Sequence, residues 1–120
     1  MSTSVKCLMS TAALLFCSTA FAHHGWSGNS EPLTLTGKVV SNVSLSGPHA
    51  SMQVEDAEGQ VWDITLAPAP RTHRAGLTED VLPLGAEVTL EGQRNDNPSR
   101  YEIKTRKVSW NERVFAVYPD

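Results

Sequence analysis

Two of the four histidines, His23 and His24, stand side by side directly after Ala20-Phe21-Ala22. Those three residues have the small–any–small pattern at which a signal peptidase cleaves. Cleavage after Ala22 would make His23 the first residue, so that its α-amine and Nδ1 form a preorganised chelate. A second imidazole would complete a tetragonal all-nitrogen site, a geometry that favours Cu(II). The sequence therefore predicts a copper-type site that proteolysis creates.

The second imidazole is expected to come from His49, because Pro48 before it stiffens the loop that carries it. Cleavage after Ala20 would instead start the chain at Phe21 and place His23 third. An amine, two deprotonated amides and an imidazole then make a square-planar Cu(II) site. The two cleavage sites predict different geometries and the same metal. The residues predicted to bind it are His23, His24 and His49. The alternative is that the two adjacent histidines are ordinary polar residues following a cleavage site.

The first 22 residues have the three parts of a cleavable signal peptide. Lys6 carries the only charge, and the apolar run from Leu8 to Phe16 is too short to span a bilayer as a mature helix. We therefore expect a signal peptide over 1–22 and a single domain over 23–120. The protein would be periplasmic or secreted after cleavage near Ala22.

The mature chain is expected to have no cysteine, since Cys7 and Cys17 both lie in the leader. This excludes disulfides and thiolate metal sites. Phe16 stands before Cys17, where a lipid-attachment site requires a small residue, and this argues against lipidation of Cys17.

Loss of Lys6 with the leader leaves nine basic residues against 13 acidic ones, a formal charge of −4. That balance argues against nucleic-acid binding, and no second apolar run reaches membrane-spanning length.

Alternation of apolar and polar residues predicts a mainly β domain. The expected order is three strands, a short helix bounded by Pro70 and Gly76, then two strands and a short tail strand. This is the order of a small five- to six-stranded OB-like barrel with its helix between the third and fourth strands. A β-sandwich is the alternative. The predicted strands cover 33–40, 50–54, 60–66, 87–91, 101–108 and 114–117, and the predicted helix covers 68–76.

Nothing in the sequence predicts a catalytic residue. The serines show no nucleophile-elbow pattern, and no His-Glu-x-x-His run occurs. His73 lies among arginines that disfavour a metal, so we expect it to be an exposed helix residue. Three acidic residues are interpreted as solvent-facing, namely Glu55, Asp56 and Asp63. Three aromatic residues are interpreted as core-packing, namely Trp26, Trp62 and Trp110. The sequence therefore predicts a protein that is not an enzyme.

The chain resembles a family of small exported proteins, mostly proteobacterial, classed as a domain of unknown function. The likeness covers nearly all of the mature chain, and its most specific part is the opening His-His with a later Pro-His. The family usually has an aromatic residue and an aspartate soon after the position of Ser27, where this chain reads Gly28-Asn29-Ser30. It often has Asn before Pro-His, where this chain has Gly47. The motifs that carry the resemblance are His23-His24-Gly25-Trp26-Ser27, Pro32-Leu33-Thr34-Leu35-Thr36-Gly37, Pro48-His49, Leu66-Ala67-Pro68, Arg74-Ala75-Gly76-Leu77 and Leu84-Gly85.

The resemblance implies a periplasmic β-barrel module and supports three histidines as its candidate functional residues, His23, His24 and His49. It implies no activity. Two functions stay open from the sequence. The first is a periplasmic protein that binds or handles copper through the mature N-terminus, with the copper ion as its partner. The second is a metal-free binding or scaffold module whose barrel surface meets a periplasmic protein or a small ligand.

Overall fold

The computed structural model describes residues 27–119. The predicted signal peptide, His23, His24 and Trp26 lie outside the described residues. Within 27–119 the chain forms six strands and one helix. These are β1 (Asn29–Val39), β2 (Ser51–Glu55), β3 (Val61–Thr65), α1 (Ala69–Arg74), β4 (Glu87–Asn95), β5 (Glu102–Trp110) and β6 (Arg113–Ala116).

The strands form one sheet in the order β3-β2-β1-β4-β5-β6, and a parallel pairing of β3 with β5 closes it. Five strands therefore make a closed barrel. Strand β6 pairs with the C-terminal half of β5. The short helix lies between the third and fourth strands. This confirms the predicted OB-like barrel, and the closure by β3 and β5 rules out the alternative β-sandwich.

The core follows from the alternation seen in the sequence. Inward residues of β2 to β5, such as Val54, Ile64, Leu90 and Ile103, are fully buried, while their neighbours face outward. Trp62 is only 5% exposed, which confirms its expected place in the core. Because adjacent side chains on a strand point to opposite faces, one apolar set fills the barrel interior.

Two glycines let the barrel close. A Cβ on Gly37 would lie 2.5 Å from the carbonyl oxygen of Glu55, where β1 passes onto β2. A Cβ on Gly92 would meet the carbonyl oxygen of Lys104 and lie 2.8 Å from Cα of Thr105. Backbone occupies both positions, so no side-chain rotation could relieve the contact. The sharp coiling of these strands therefore requires glycine.

Replacing Gly92 by alanine should destabilise the barrel strongly. Strand β4 or β5 would have to shift, and overpacking of this kind costs about 3 kcal/mol. Gly47→Ala is the matched control, because its Cβ would point into open space. The free energy of unfolding of that variant should fall by only about 1 kcal/mol, because alanine is strained at the positive φ of 81° that Gly47 adopts. Urea unfolding midpoints of both variants and the parent measure the difference; equal losses would contradict the argument.

Helix α1 lies within the predicted range of 68–76, bounded by the proline and glycine residues that predicted it. Pro68 precedes its first turn, Pro70 lies within that turn, and Gly76 follows the helix with φ of +98°. Just beyond the helix, a Cβ on Gly76 would lie 3.3 Å from the ring of Phe115 in β6. His73 is exposed on the helix, as expected. Within residues 27–119 no helix is long and apolar enough to cross a membrane.

Candidate functional site

His49 ends the loop between β1 and β2 and is held by the strands on either side. The next residue, Ala50, donates its N–H to the carbonyl of Ala67 (2.9 Å) and accepts from the N–H of Leu66 (2.8 Å). The imidazole is half-buried, and its Nδ1 lies 3.1 Å from the carbonyl oxygen of Leu66. The ring is therefore fixed against the end of β3 rather than free in solvent.

That contact decides which ring nitrogen carries the proton. A carbonyl oxygen only accepts hydrogen bonds, so Nδ1 of His49 is the donor to Leu66. In the neutral ring the lone pair is then on Nε2. Histidines that bind metals are typically oriented in this way, with the second ring nitrogen donating to a backbone carbonyl or carboxylate. His49 therefore has the ring orientation that a histidine coordinating a metal through Nε2 would have.

The other predicted ligands, His23 and His24, lie outside the described residues. Within 27–119 no three His, Cys, Asp or Glu side chains are grouped so that they could hold a metal. The described barrel therefore contains no complete metal site of its own. His73 is exposed on α1 and belongs to no such group of three.

A row of polar side chains crosses four strands where β1 begins. Asn29 pairs with Asn95 of β4, whose side-chain Nδ2 donates to Oε1 of Glu102 (2.8 Å) on β5. Glu102 pairs in turn with Asp63 of β3. Oε2 of Glu102 accepts from the Thr65 hydroxyl (3.0 Å), one residue before the carbonyl that orients His49. The start of β1 is thus connected to the His49 site through side chains of β4, β5 and β3.

Glu102 is the electrostatic centre of this row. Its partial burial alone would raise the pKa of its carboxyl group. Hydrogen bonds donated by Asn95, Thr65 and Asn29, with the nearby charge of Arg100, outweigh that effect and lower the pKa below its ordinary value. Glu102 is therefore a carboxylate at neutral pH, fixed in position by three donors.

Beside this row a groove of about 450 Å³ runs along the outer surface of β2 and β3. Strands β2 and β3 and the loop before β2 form the surface on which OB-type barrels usually bind ligands. Two carboxylates line the groove, and none of its described lining residues is Lys or Arg. This charge disfavours a phosphate backbone, in agreement with the overall acidity. Its polar lining includes Ser41, Ser44, Gln53, Asp63, Thr65 and Glu102.

A comparison with protein families matches residues 12–104 to a family of unknown function, DUF6152. The chain belongs to DUF6152. The matched range includes His23, His24 and His49 and runs from before β1 into β5. No curated protein matches the chain. The resemblance to a domain of unknown function is thereby confirmed.

The aromatic side chains of this DUF6152 barrel are engaged in packing. Trp62 and Tyr101 meet edge-to-face with centroids 5.2 Å apart. The Arg94 guanidinium lies 4.9 Å from the Trp62 ring and 5.3 Å from the Tyr101 ring. Trp62 also donates its Nε1–H to Oδ2 of Asp56 (3.0 Å). Since Trp62 is buried and the Arg94 guanidinium lies over both rings, these two rings pack against each other and against Arg94 instead of forming a stacking platform.

The acidic residues that the sequence placed in solvent are found there. Glu55 and Asp63 are exposed on their strands, and Asp56 belongs to the turn between β2 and β3. Hydrogen bonds from the Trp62 side chain and from the N–H groups of Gln60 and Glu58 lower the pKa of Asp56, against a smaller opposing effect of desolvation. Asp56 thus fixes the turn and the Trp62 ring.

Sequence reasoning missed Glu102 and its donors, although it identified His49. Glu102, Thr65, Asn95 and Asn29 come from four different strands, so no local spacing connects them. The one available signal was a glutamate at the start of a predicted strand, next to a loop rich in asparagine. Only closure of the barrel brings these residues together.

Proposed function

We propose that this DUF6152 protein is exported and, once its leader is removed, binds one Cu(II) ion. The α-amine and Nδ1 of His23 form the chelate, His49 supplies its Nε2, and His24 is a further donor. The observation that carries the proposal is the Nδ1 contact of His49 with the Leu66 carbonyl, because it leaves Nε2 as a lone-pair donor on a fixed ring. Three or four nitrogen donors favour Cu(II) over the other common divalent ions.

The electrostatics also support a cation. The mature chain would carry a formal charge of −4, and the Glu102 carboxylate lies next to Thr65, close to the His49 site. A negative field raises the local concentration of a divalent cation. The role that follows is periplasmic copper binding or handling.

The test begins with the native start of the secreted polypeptide, read by mass spectrometry. A protein that starts at His23 should then bind one equivalent of Cu(II), with a d–d absorption band and electron paramagnetic resonance signals of a tetragonal nitrogen site. A protein that starts at Phe21 should also bind one equivalent. Its d–d band should lie at shorter wavelength, because two deprotonated amides give a stronger square-planar field.

Two results would contradict the proposal. One is a native chain that keeps its leader or starts well beyond His24, since the chelate of the free His23 amine with its own imidazole would then not exist. The other is Cu(II) binding by the protein starting at His23 that is no tighter than in a variant carrying both His23→Ala and His49→Ala. Either result would leave the metal-free alternative as the better account.

The groove supports that alternative, a metal-free binding module. Its hydroxyl, amide and carboxylate side chains could hold a small polar ligand by hydrogen bonds. Copper titration followed by NMR separates the two functions. Broadening by Cu(II) centred on His49 and Leu66 favours the metal site; no broadening there, with a ligand shifting Gln53 and Asp63, favours the binding module.

A further inference from the structure

Strand β6 lies at an edge of the sheet. Within residues 27–119 it pairs only with β5, through a hairpin whose two-residue turn is Asn111-Glu112. Both turn residues have positive φ, 50° and 67°, as a type I′ turn requires. In such a hairpin the residues that flank the turn, Trp110 and Arg113, exchange backbone hydrogen bonds, and the exchange recurs at every second pair.

This register turns the backbone of Val114 and Ala116 away from β5. Phe115 belongs to a hydrogen-bonded pair with Val108, whereas Val114 and Ala116 belong to the intervening pairs. In the described part of the chain no further strand pairs with that outer side. Val114 is also 62% exposed. The edge therefore presents two N–H groups and two carbonyl groups to which another extended chain could bond.

A groove of about 320 Å³ reaches this edge at Ala116. Helix α1 and the residue after it form one side of the groove, and the end of β6 and the residues after it form the other. The six lining residues are Arg71, Arg74, Ala75, Ala116, Val117 and Pro119. Extended peptides add to exposed sheet edges, where backbone hydrogen bonds give affinity and the neighbouring side chains give specificity.

The charge of this groove favours an acidic partner. Arg71 and Arg74 are exposed on α1, and none of the six lining residues is acidic. The Arg71 guanidinium lies 5.4 Å from the centre of the Tyr118 ring, a contact that restricts the arginine before any partner binds. A second copy is disfavoured as the occupant, because its own β6 begins with Arg113 and would add positive charge.

We infer that the β6 edge and this groove form a docking site for an extended acidic peptide segment of another protein. The segment adds a strand beside β6 through the backbone of Val114 and Ala116, and its Asp or Glu side chains pair with Arg71 and Arg74. The four residues of β6 limit the pairing to a short segment. The site contains none of the predicted copper ligands, so the inference goes beyond the copper function and does not depend on it.

The experiment uses the mature protein and, as the probe, the blocked peptide acetyl-Glu-Val-Glu-Val-Glu-Val-amide. Alternation places its carboxylates on one face and its valines on the other. In an NMR titration the amide signals of Val114 and Ala116 should shift. Their exchange with solvent should slow about fivefold at saturation, because both N–H groups gain acceptors. The Phe115 amide, already bonded to β5, is the internal reference.

Val114→Pro tests the strand addition. It removes an outward N–H and leaves the ladder with β5 intact, since proline is tolerated where the N–H of an edge strand faces solvent. Peptide binding should weaken about tenfold, from the lost backbone bond and the steric block together. Val114→Thr is the matched control, because it keeps the N–H and the branched side chain, and it should bind as the parent does.

The arginines are tested in pairs. Combined Arg71→Gln and Arg74→Gln substitutions should weaken peptide binding about tenfold, and combined Arg71→Lys and Arg74→Lys substitutions should restore most of it. Lys38→Gln with Arg100→Gln is the matched control, since it removes the same net charge from exposed residues outside the groove. At physiological ionic strength its affinity should stay within about twofold of the parent, because distant exposed charges are screened.

Three results would overturn the inference. Unchanged affinity in Val114→Pro would mean that the peptide contacts side chains without adding a strand. Equal losses from the groove pair and the control pair would mean that net charge alone attracts it. The third is a parent protein that binds no peptide at millimolar concentration, whether or not it dimerises in sedimentation. Circular dichroism verifies the fold of each variant, and the arginine pairs decide the outcome if Val114→Pro does not fold.

Discussion

A protein carrying four extra residues before His23 should bind Cu(II) on the order of 100-fold more weakly than one that starts at His23. The extension, for example Gly-Ser-Gly-Ser, turns the His23 amine into an amide and moves the new amine too far from Nδ1 for the same chelate. His23 then offers only its imidazole instead of an amine and an imidazole on the same residue. A chelate binds tightly because its donors are covalently joined. Competition with a chromophoric chelator at fixed pH measures the change.

The length of that extension matters. One added residue would place His24 third, so that an amine, two amides and an imidazole could bind Cu(II) in a plane. Such a variant should bind tightly with a d–d band at shorter wavelength, and His49→Ala should leave its affinity unchanged. Unaltered affinity after the four-residue extension would instead indicate adventitious binding by imidazoles, independent of the free N-terminus.

The barrel could be predicted because apolar and polar residues alternate along its strands, and burial follows that alternation in β2, β3 and the first half of β4. Residues 60–66 and 101–108 were predicted as strands, and β3 and β5 form there as Val61–Thr65 and Glu102–Trp110. Proline and glycine bracketed α1 for reasons of backbone geometry alone. Each of these signals is local, which is why sequence reasoning detects it.

The strands extend further than predicted where their residues are polar. β1 starts at Asn29 instead of 33, and β4 continues to Asn95, beyond the predicted end at 91. These ends pair with each other, so backbone and side-chain hydrogen bonds hold them instead of core burial. A hydrophobic pattern carries no information about such pairing, and the Asn29–Glu102 contacts were missed for the same reason.

The Pro-His context singled out His49 in the sequence, but the orientation of its ring could not be predicted. The acceptor that fixes the ring is a backbone carbonyl 17 residues further along the chain, at Leu66. Every residue type has that carbonyl, so no sequence motif marks it. The pairing of Ala50 with Leu66 and Ala67 brings it beside the ring, and this depends on how β2 and β3 align.

His49→Ala should weaken Cu(II) binding by the mature protein about 10- to 100-fold. The chelate of the His23 amine and Nδ1 would survive, but the ion would lose a donor that the barrel holds in place. The d–d band should move to longer wavelength as a water oxygen replaces nitrogen.

His73→Ala is the matched control for His49→Ala, since His73 is an exposed histidine of α1 and belongs to no group of three ligand-type side chains in the described barrel. Its removal should leave affinity, spectrum and pH dependence unchanged. Equal losses from both substitutions would mean that Cu(II) samples any accessible imidazole. A loss confined to His49 would instead locate the ion at the one described histidine whose Nδ1 is held by a carbonyl. The tautomer that this hydrogen bond fixes would then be the structural feature that makes His49 a ligand.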